Sequence, residues 1–309
     1  NNVTMNEIHT PVLLKEIVEY LDPKPGDKII DATLGGGGHA MALAERVAPD
    51  GKVLGIELDG KLLKEFELKV KNSKFKDNFI LVNDNYTSIK NIVHEYNFRP
   101  NRILFGLGLS SWHLERSGRG FSFRRDEPLD MRYNAEEESG KHESKIMNAA
   151  EIVNTYNKQE LEKIIKEYGE EQFAERIADN IVLTRKKKPI LTVRELVEVI
   201  RESVPAWYKK RKIHFATKTF QALRIEVNSE LKNVEKGVSL AIESLESGGR
   251  LAVISFQGLE DKIVRELFKK KAKEGVVKFI VKGTIKPSWE EVKSNPRARS
   301  AKMKIVEKI

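Results

Sequence analysis

The chain has no cysteine. Disulfides and thiolate metal sites are therefore excluded, and with them a small disulfide-stapled secreted scaffold; no metal is expected. Proline is scarce, at 10 residues in 309, and aromatics make up only 7%. No apolar run approaches the roughly 20 residues that a membrane-spanning helix needs. The opening residues, "NNVTMNEIHTP", show no basic-then-apolar leader pattern. A soluble, cytoplasmic protein with no membrane partner is expected. There is no internal repeat and no low-complexity tract. One further absence is local. Residues 103–114, "ILFGLGLSSWHL", run from apolar residues into glycines, serines and aromatics, as a buried strand opens into a site, yet they hold no carboxylate.

Charge is abundant. Charged residues are 33% of the chain and the net charge is +9. The basic residues cluster as "RKKK" (185–188), "KKRK" (209–212) and "KKKAK" (269–273). Any one cluster reads equally as a solvated face. Three on a basic chain favour a polyanionic partner, most simply nucleic acid.

Apolar residues at helical spacing in "TPVLLKEIVEYL" (10–21) predict a helix, with Thr10 as N-cap and Pro11 in the first turn. Short apolar runs then alternate with helical patterns. "KIID", "KVLGIELD", "NFILVND" and "RILFGLG" read as strands, and "HAMALAERVA", "GKLLKEFELKVKN" and "YTSIKNIVHEYN" as helices. This alternation predicts βαβ units and a parallel sheet. From about 112 to 212 it stops. "ESKIMNAAEIVNTYN", "KQELEKIIKEYG", "EQFAERIADNIVLTRK" and "TVRELVEVIRESV" read as amphipathic helices, the last with a Thr192–Glu195 capping box. Strands return at "RLAVISF" (250–256) and "VKFIVKG" (277–283), after the helix "LKNVEKGVSLAIESLES". The predicted architecture is α/β: a sheet domain from residues 1–111 and 213–309, interrupted by a helical insert at 112–212.

Three strand ends carry candidate chemistry. "DATLGGGGHA" (31–40) joins the first strand to a helix, where glycines let backbone approach a ligand and the helix start offers free N–H groups; a tight turn is the plainer explanation. Glu57, ending the second strand, suits ribose hydroxyls, or is a surface acid. Asp84, Asn85 and Tyr86 end the third, to touch an adenine or to make an ordinary polar loop. Together they outline a nucleoside crevice at the carboxyl ends of parallel strands. "GRGFSFRRDEPLDMR" (118–132) mixes Arg119, Arg124, Arg125 and Arg132 with Phe121 and Phe123. It suits a splayed base and its phosphates, or is a packed loop in which Asp126 and Asp130 pair with the arginines. "KKRKIHFATKTF" (209–220) reads as an RNA contact or a solvated hinge.

The chain resembles the bacterial ribosomal RNA small-subunit methyltransferase H family. The likeness runs through "HTPVLLKEIV", "GGGGHA", "GLGLSSWHLE", "GRGFSFRRDEPLDMR", "YGEEQFAERIA", "HFATKTFQALRIEVNSEL", "GGRLAVISFQGLEDKIV" and "NPRARSAKMK". It implies a class I S-adenosylmethionine-dependent methyltransferase fold with a helical RNA-recognition insert. The implied activity is N4-methylation of a cytidine in the decoding region of 16S rRNA. The implied cofactor contacts are Gly37, Gly38, His39, Glu57, where the family usually has Asp, and Tyr86, where it usually has Phe. The implied partner is 16S rRNA or the small ribosomal subunit, not DNA. His113 stands where many members have Gln. No catalytic residue is assigned.

Three departures fall in or beside the expected pocket. Asn101-Arg102 replaces Asp-Gly, Gly106 replaces the Asp of Asp-Leu-Gly, and Gln257-Gly258 replaces His-Ser. An exocyclic cytosine amine is a poor nucleophile, and an acceptor beside it would orient it and take its proton. Gly106 has no side chain for this; Ser110 and Ser111 remain nearby, to bond a base or to cap a helix. The alternative expectation is a member that keeps the fold and binds RNA without efficient methyl transfer. Three basic clusters and a large insert argue against a small-molecule methyltransferase.

Overall fold

The computed structural model describes residues 11–134 and 146–309. Seven strands make one sheet: β1 (Lys28–Asp31), β2 (Lys52–Glu57), β3 (Phe79–Asn83), β4 (Arg102–Gly106), β5 (Arg250–Ser255), β6 (Val277–Phe279) and β7 (Lys302–Lys308). Their order is β3-β2-β1-β4-β5-β7-β6. β1 to β5 are parallel, and β7 runs antiparallel between β5 and β6. This is the class I methyltransferase sheet that the resemblance implies. The register turns ahead at β1, where β2 lies on one side and β4 on the other, so the loops after these strands leave the sheet in opposite directions and open a crevice.

The central strands are nearly continuous apolar runs because both sheet faces are covered. Alternation along each strand assigns side chains to the two faces. Ile30, Leu54, Ile103 and Phe105 pack with Val234, Val238 and Phe268. Ile29, Val53, Leu104 and Ile254 pack with Ile17, Leu43 and Phe66. The helices Ile89–Glu95, Glu230–Ser244 and Gly258–Lys273 thus cover one face, and Leu14–Leu21, Gly38–Val47 and Gly60–Lys71 the other.

The chain divides into two compact units, one of residues up to Gly108 with Leu231–Ile309, the other Leu109–Glu230. The second has its own core, built by the helices Ala149–Thr155, Lys158–Glu167, Ala174–Arg185, Val193–Ser203 and Thr217–Asn228. Three of these open with a capping box: Asn148–Glu151, Asn157–Glu160 and the expected Thr192–Glu195. The boundaries differ from those drawn at 111/112 and 212/213. Ile213–Glu230 stays with the helical unit because Phe220, Leu223 and Val227 fill its core. Arg224 also pairs there with Glu230 at 2.8 Å.

Other expectations shift locally. The first helix begins at Leu14, after Leu13 in a left-handed conformation (φ 58°); Thr10 lies outside the described residues. The "VKFIVKG" strand stops at Phe279. The "YTSIKNIVHEYN" helix starts as a 3-10 turn, Tyr86–Ser88. β7 had no counterpart in the sequence reading. Among the described residues, no helix is long and apolar enough to cross a membrane.

β7 places a lysine in the core. Lys304 and Asp261, 6% and 7% exposed, form an ion pair, and the same ammonium donates to Thr284 Oγ1 at 3.1 Å. Removing one partner of a buried pair strands the other charge. Asp261→Ala is therefore expected to lower the unfolding free energy by about 3–5 kcal/mol, and Lys304→Met in the same chain to recover most of it. Denaturant unfolding of the single and double variants checks this.

Candidate functional site

The carboxyl ends of β1, β2 and β3 converge. After Asp31 the chain turns through Leu34, whose N–H donates to Ile56 O at 3.0 Å, and Gly37, whose N–H donates to Leu34 O at 2.8 Å. Glu57 fixes this turn. One carboxylate oxygen accepts from Gly35 N at 2.8 Å and the other from Asp59 N at 2.9 Å. Asn83 donates to Glu57 O at 2.8 Å and Leu58 O at 3.1 Å, locking the end of β2 to β3. The sequence offered Glu57 either ribose or solvent. In the structure it is 9% exposed and holds backbone.

The glycines divide by role. Gly37, at φ +71°, has Phe66 where a Cβ would sit, with a ring carbon at 1.8 Å. A Cβ on Gly38 would meet Pro11 at 2.6 Å. Both are required by packing, and they can touch a ligand only through backbone. Gly36, absent from the candidate residues, has nothing within 4 Å of its Cβ position and is exposed. It is the point where a ligand can come against the loop. His39 is half-buried on the helix that starts at Gly38, its Nε2 2.9 Å from Val12 O.

Tyr86 packs edge-on to Phe105, ring centroids 5.4 Å apart, and lies where a Cβ on Gly237 would fall. It is half-buried, shared between core and loop. Asn85 caps the 3-10 turn by accepting from Thr87 N at 2.9 Å. Asp84 accepts from Asn85 N and from Ser88 Oγ. The polar-loop explanation thus accounts for Asp84 and Asn85.

Asp31 opens the glycine motif and is absent from the candidate site residues that the sequence points to. It ends β1, is 2% exposed, and accepts from Thr33 N at 3.2 Å. Burial pushes its carboxyl up to about 7, against a smaller opposite pull from that bond. A buried acid beside an open loop lacks a cation. The ammonium of a methionine moiety would supply one, so this donor set fits S-adenosylmethionine. The signal available in sequence was an acid at the end of an apolar run before glycines.

Of the departures, only two lie at this edge. Gly106 ends β4, and its N–H donates to Thr33 Oγ1 at 2.6 Å. A Cβ there would meet only that oxygen, at 3.5 Å. Gln257 follows β5 and donates to Glu260 at 3.0 Å, with its own Oε1 buried. Gly258 has nothing within 4 Å of its Cβ position. Asn101-Arg102 is a correction. It sits at the amino end of β4, the opposite edge of the sheet. There Asn101 accepts from Lys28 N and donates to Asp27, and Arg102 lies 3.5 Å from Asp27. Its role is to hold the strand entry.

In the helical unit, packing claims most of the aromatic-basic motif. Phe121 is core. Arg119 donates to Arg132 O and Tyr133 O, and Arg132 pairs with Asp130 at 2.7 Å. His113 is buried edge-on against Phe121 and Tyr133. Ser110 caps the short helix Ser111–Glu115. Arg124 and Arg125 remain exposed, as do Lys186 and Lys187 and all of Lys209–Lys212. The "KKKAK" run lies in the last turn of Gly258–Lys273, where cations complement the helix dipole, at the edge away from the crevice. A hollow of about 370 Å³ in this unit is lined by Glu162, Glu170, Glu171 and Glu175, the wrong sign for phosphates.

Two outcomes test the loop. Gly37→Ala should cost about 2 kcal/mol or more through left-handed strain and the Phe66 clash, whereas Gly36→Ala should leave stability within ~0.5 kcal/mol and weaken cofactor binding. Thermal melts and calorimetric titration separate the two. For Asp31, the folded carboxyl holds its proton up to about pH 7 and the unfolded one releases it near 3.8. Its contribution to stability is thus full below about pH 4 and is lost as pH rises through about 7. Asp31→Asn should remove that part of the slope, raising the melting temperature more at pH 7.5 than at pH 5 in the cofactor-free protein.

Comparison with known proteins identifies the family. The model of the MraW methylase family matches residues 6–309. The Ribosomal RNA small subunit methyltransferase H of Thermosipho melanesiensis is 46% identical, over 98% of this chain and 99% of its own length. The protein of that name from Fervidobacterium nodosum is 45% identical over the whole of both chains. That from Persephonella marina is 42% identical over 97% of this chain and 99% of its own. The chain belongs to the MraW methylase family, a family of S-adenosylmethionine-dependent methyltransferases.

Proposed function

We propose that this chain methylates N4 of a cytidine in the decoding region of 16S rRNA, with the sheet unit holding the methyl donor and the helical unit recognising RNA. Full-length kinship with proteins named for small-subunit rRNA methylation carries the reading. The bound donor would supply an electrophilic methyl group on sulfonium. Asp31 would meet its ammonium, the Gly35–Gly38 backbone would border it, Glu57 would face the ribose and Tyr86 the adenine. His39 would hold the start of the glycine helix to Val12. Transfer to the amine requires the nitrogen lone pair to be turned toward the methyl and the displaced proton to be accepted.

A second reading, a member that keeps the fold and turns over slowly, is favoured by Gly106. At that strand end the chain presents only Thr33 Oγ1, which already accepts from Gly106 N. A Cβ there would make only ordinary contact with that hydroxyl, at 3.5 Å. The discriminating assay is labelled methyl transfer to undermethylated small subunits, with mass spectrometry of the nucleosides. N4-methylcytidine is the expected product, formed slowly. Gly106→Asp is expected to raise turnover at least about ten-fold, within the range for a positioned acceptor, with little change in melting temperature. Robust turnover by the parent would place proton acceptance elsewhere. Product methylated at another base would reject the N4 reading.

A further inference from the structure

We propose that Trp207 and the cations that follow it form a stacking platform for single-stranded RNA. The proposal rests on the RNA-methylation reading above and adds the form of RNA and the residue that meets a base.

Trp207 lies on the short helix Ala206–Lys209 and is 59% exposed. It is nonetheless held. Phe173 lies 6.0 Å from it at 62°, and Tyr208 5.6 Å at 89°; neither ring is stacked parallel on the indole. Tyr208 is itself buried, packs edge-on to Phe173 at 5.0 Å, and donates its hydroxyl to Glu171 at 2.6 Å. The indole is therefore positioned before any ligand arrives, which spares the ordering entropy that a free side chain would lose on binding.

Lys209, Lys210, Arg211 and Lys212 follow, all exposed, and none has a carboxylate partner among the described residues. Arg211 lies 5.0 Å over the Tyr208 ring. The far end of this segment is also fixed. His214 stacks on Phe123 at 4.4 Å and 9°, and on Phe215 at 4.2 Å. Phe123 is followed by the exposed Arg124 and Arg125. A loop of cations is thus pinned at both ends by aromatic contacts. Its ends are no more than about 25 Å apart along the chain, the reach of a few nucleotides.

Unpaired cations in a row repel one another and gain by meeting phosphates. An exposed indole beside them gains by meeting a base face. A duplex hides its base faces, whereas a single strand offers both groups together. The exposed large apolar side chains of this segment, Trp207 and Ile213, flank the four cations in sequence, and the core of a protein interface is depleted of charge.

The test uses the full chain and a ~12-nucleotide single-stranded RNA, alone or annealed to its complement, read by fluorescence anisotropy. The single strand should bind more tightly. Trp207→Ala should weaken that binding about ten-fold or more, and Trp207→Phe should keep most of it. Replacing Lys209, Lys210, Arg211 and Lys212 with Gln should flatten the salt dependence by roughly 2–3 in slope. Melting curves confirm that each variant folds. Unchanged affinity in Trp207→Ala, or preference for the duplex, overturns the proposal. So does a loss of self-association in that variant with RNA affinity intact, which would make the surface a protein contact. Methyl transfer is scored separately. If the parent fails to methylate small subunits yet shows the strand preference and the Trp207 effect, the activity reading falls and the platform stands.

Discussion

The carboxylate of Glu57 holds the crevice together. It accepts from the amide of Gly35 on one side and of Asp59 on the other. Those bonds join the loop after β1 to the end of β2, and Asp59 then caps the next helix through Lys61 N and Leu62 N. Buried charge-assisted bonds of this kind are among the stronger ones in a protein. They fix the glycine turn tightly enough for Phe66 to fill the place of a Gly37 side chain. The open ground at Gly36 is what remains once that packing is complete. Glu57 is thus first a builder of the crevice.

The same edge of the sheet carries the molecule's electrostatic imbalance. Asp31 is buried with one backbone donor and, among the described residues, no cation beside it, and burial pushes its carboxyl up to about 7. Gly106, the next strand end along, contributes no side chain, and Gln257 leaves an amide oxygen buried at the same edge. Polar groups left this way cost stability unless something meets them. In a methyltransferase crevice, donor and base are the groups that would.

The two units solve different problems. The sheet unit needs parallel strands buried on both faces, and its helices come from both ends of the chain. The helical unit stands on its own core and spends most of its aromatics and arginines there: Phe121, Tyr208, Arg119 and Arg132 all serve packing. What is left over is the signal. Trp207 and Lys209–Lys212 are neither buried nor, among the described residues, paired with carboxylates.

The alternation of short apolar runs with helical periodicities was enough to locate β1 to β5, because local burial on two faces writes itself into consecutive residues. The capping box at Thr192 was equally legible, since it is a contact between near neighbours. The resemblance rested on long colinear motifs and needed no geometry. Sequence did not reveal β7, whose alternating "KMKIVEK" hides a buried lysine that Asp261 and Thr284, both remote in the chain, make tolerable. Nor did it separate Gly36 from Gly37, or tell that Asn101-Arg102 stands at the opposite end of its strand from Gly106. Those distinctions depend on what fills the space beside each residue. The periodicity of residues along the chain determined most of the elements, and colinear motifs the family resemblance; which side chains were left for a ligand was decided by packing between segments remote in sequence.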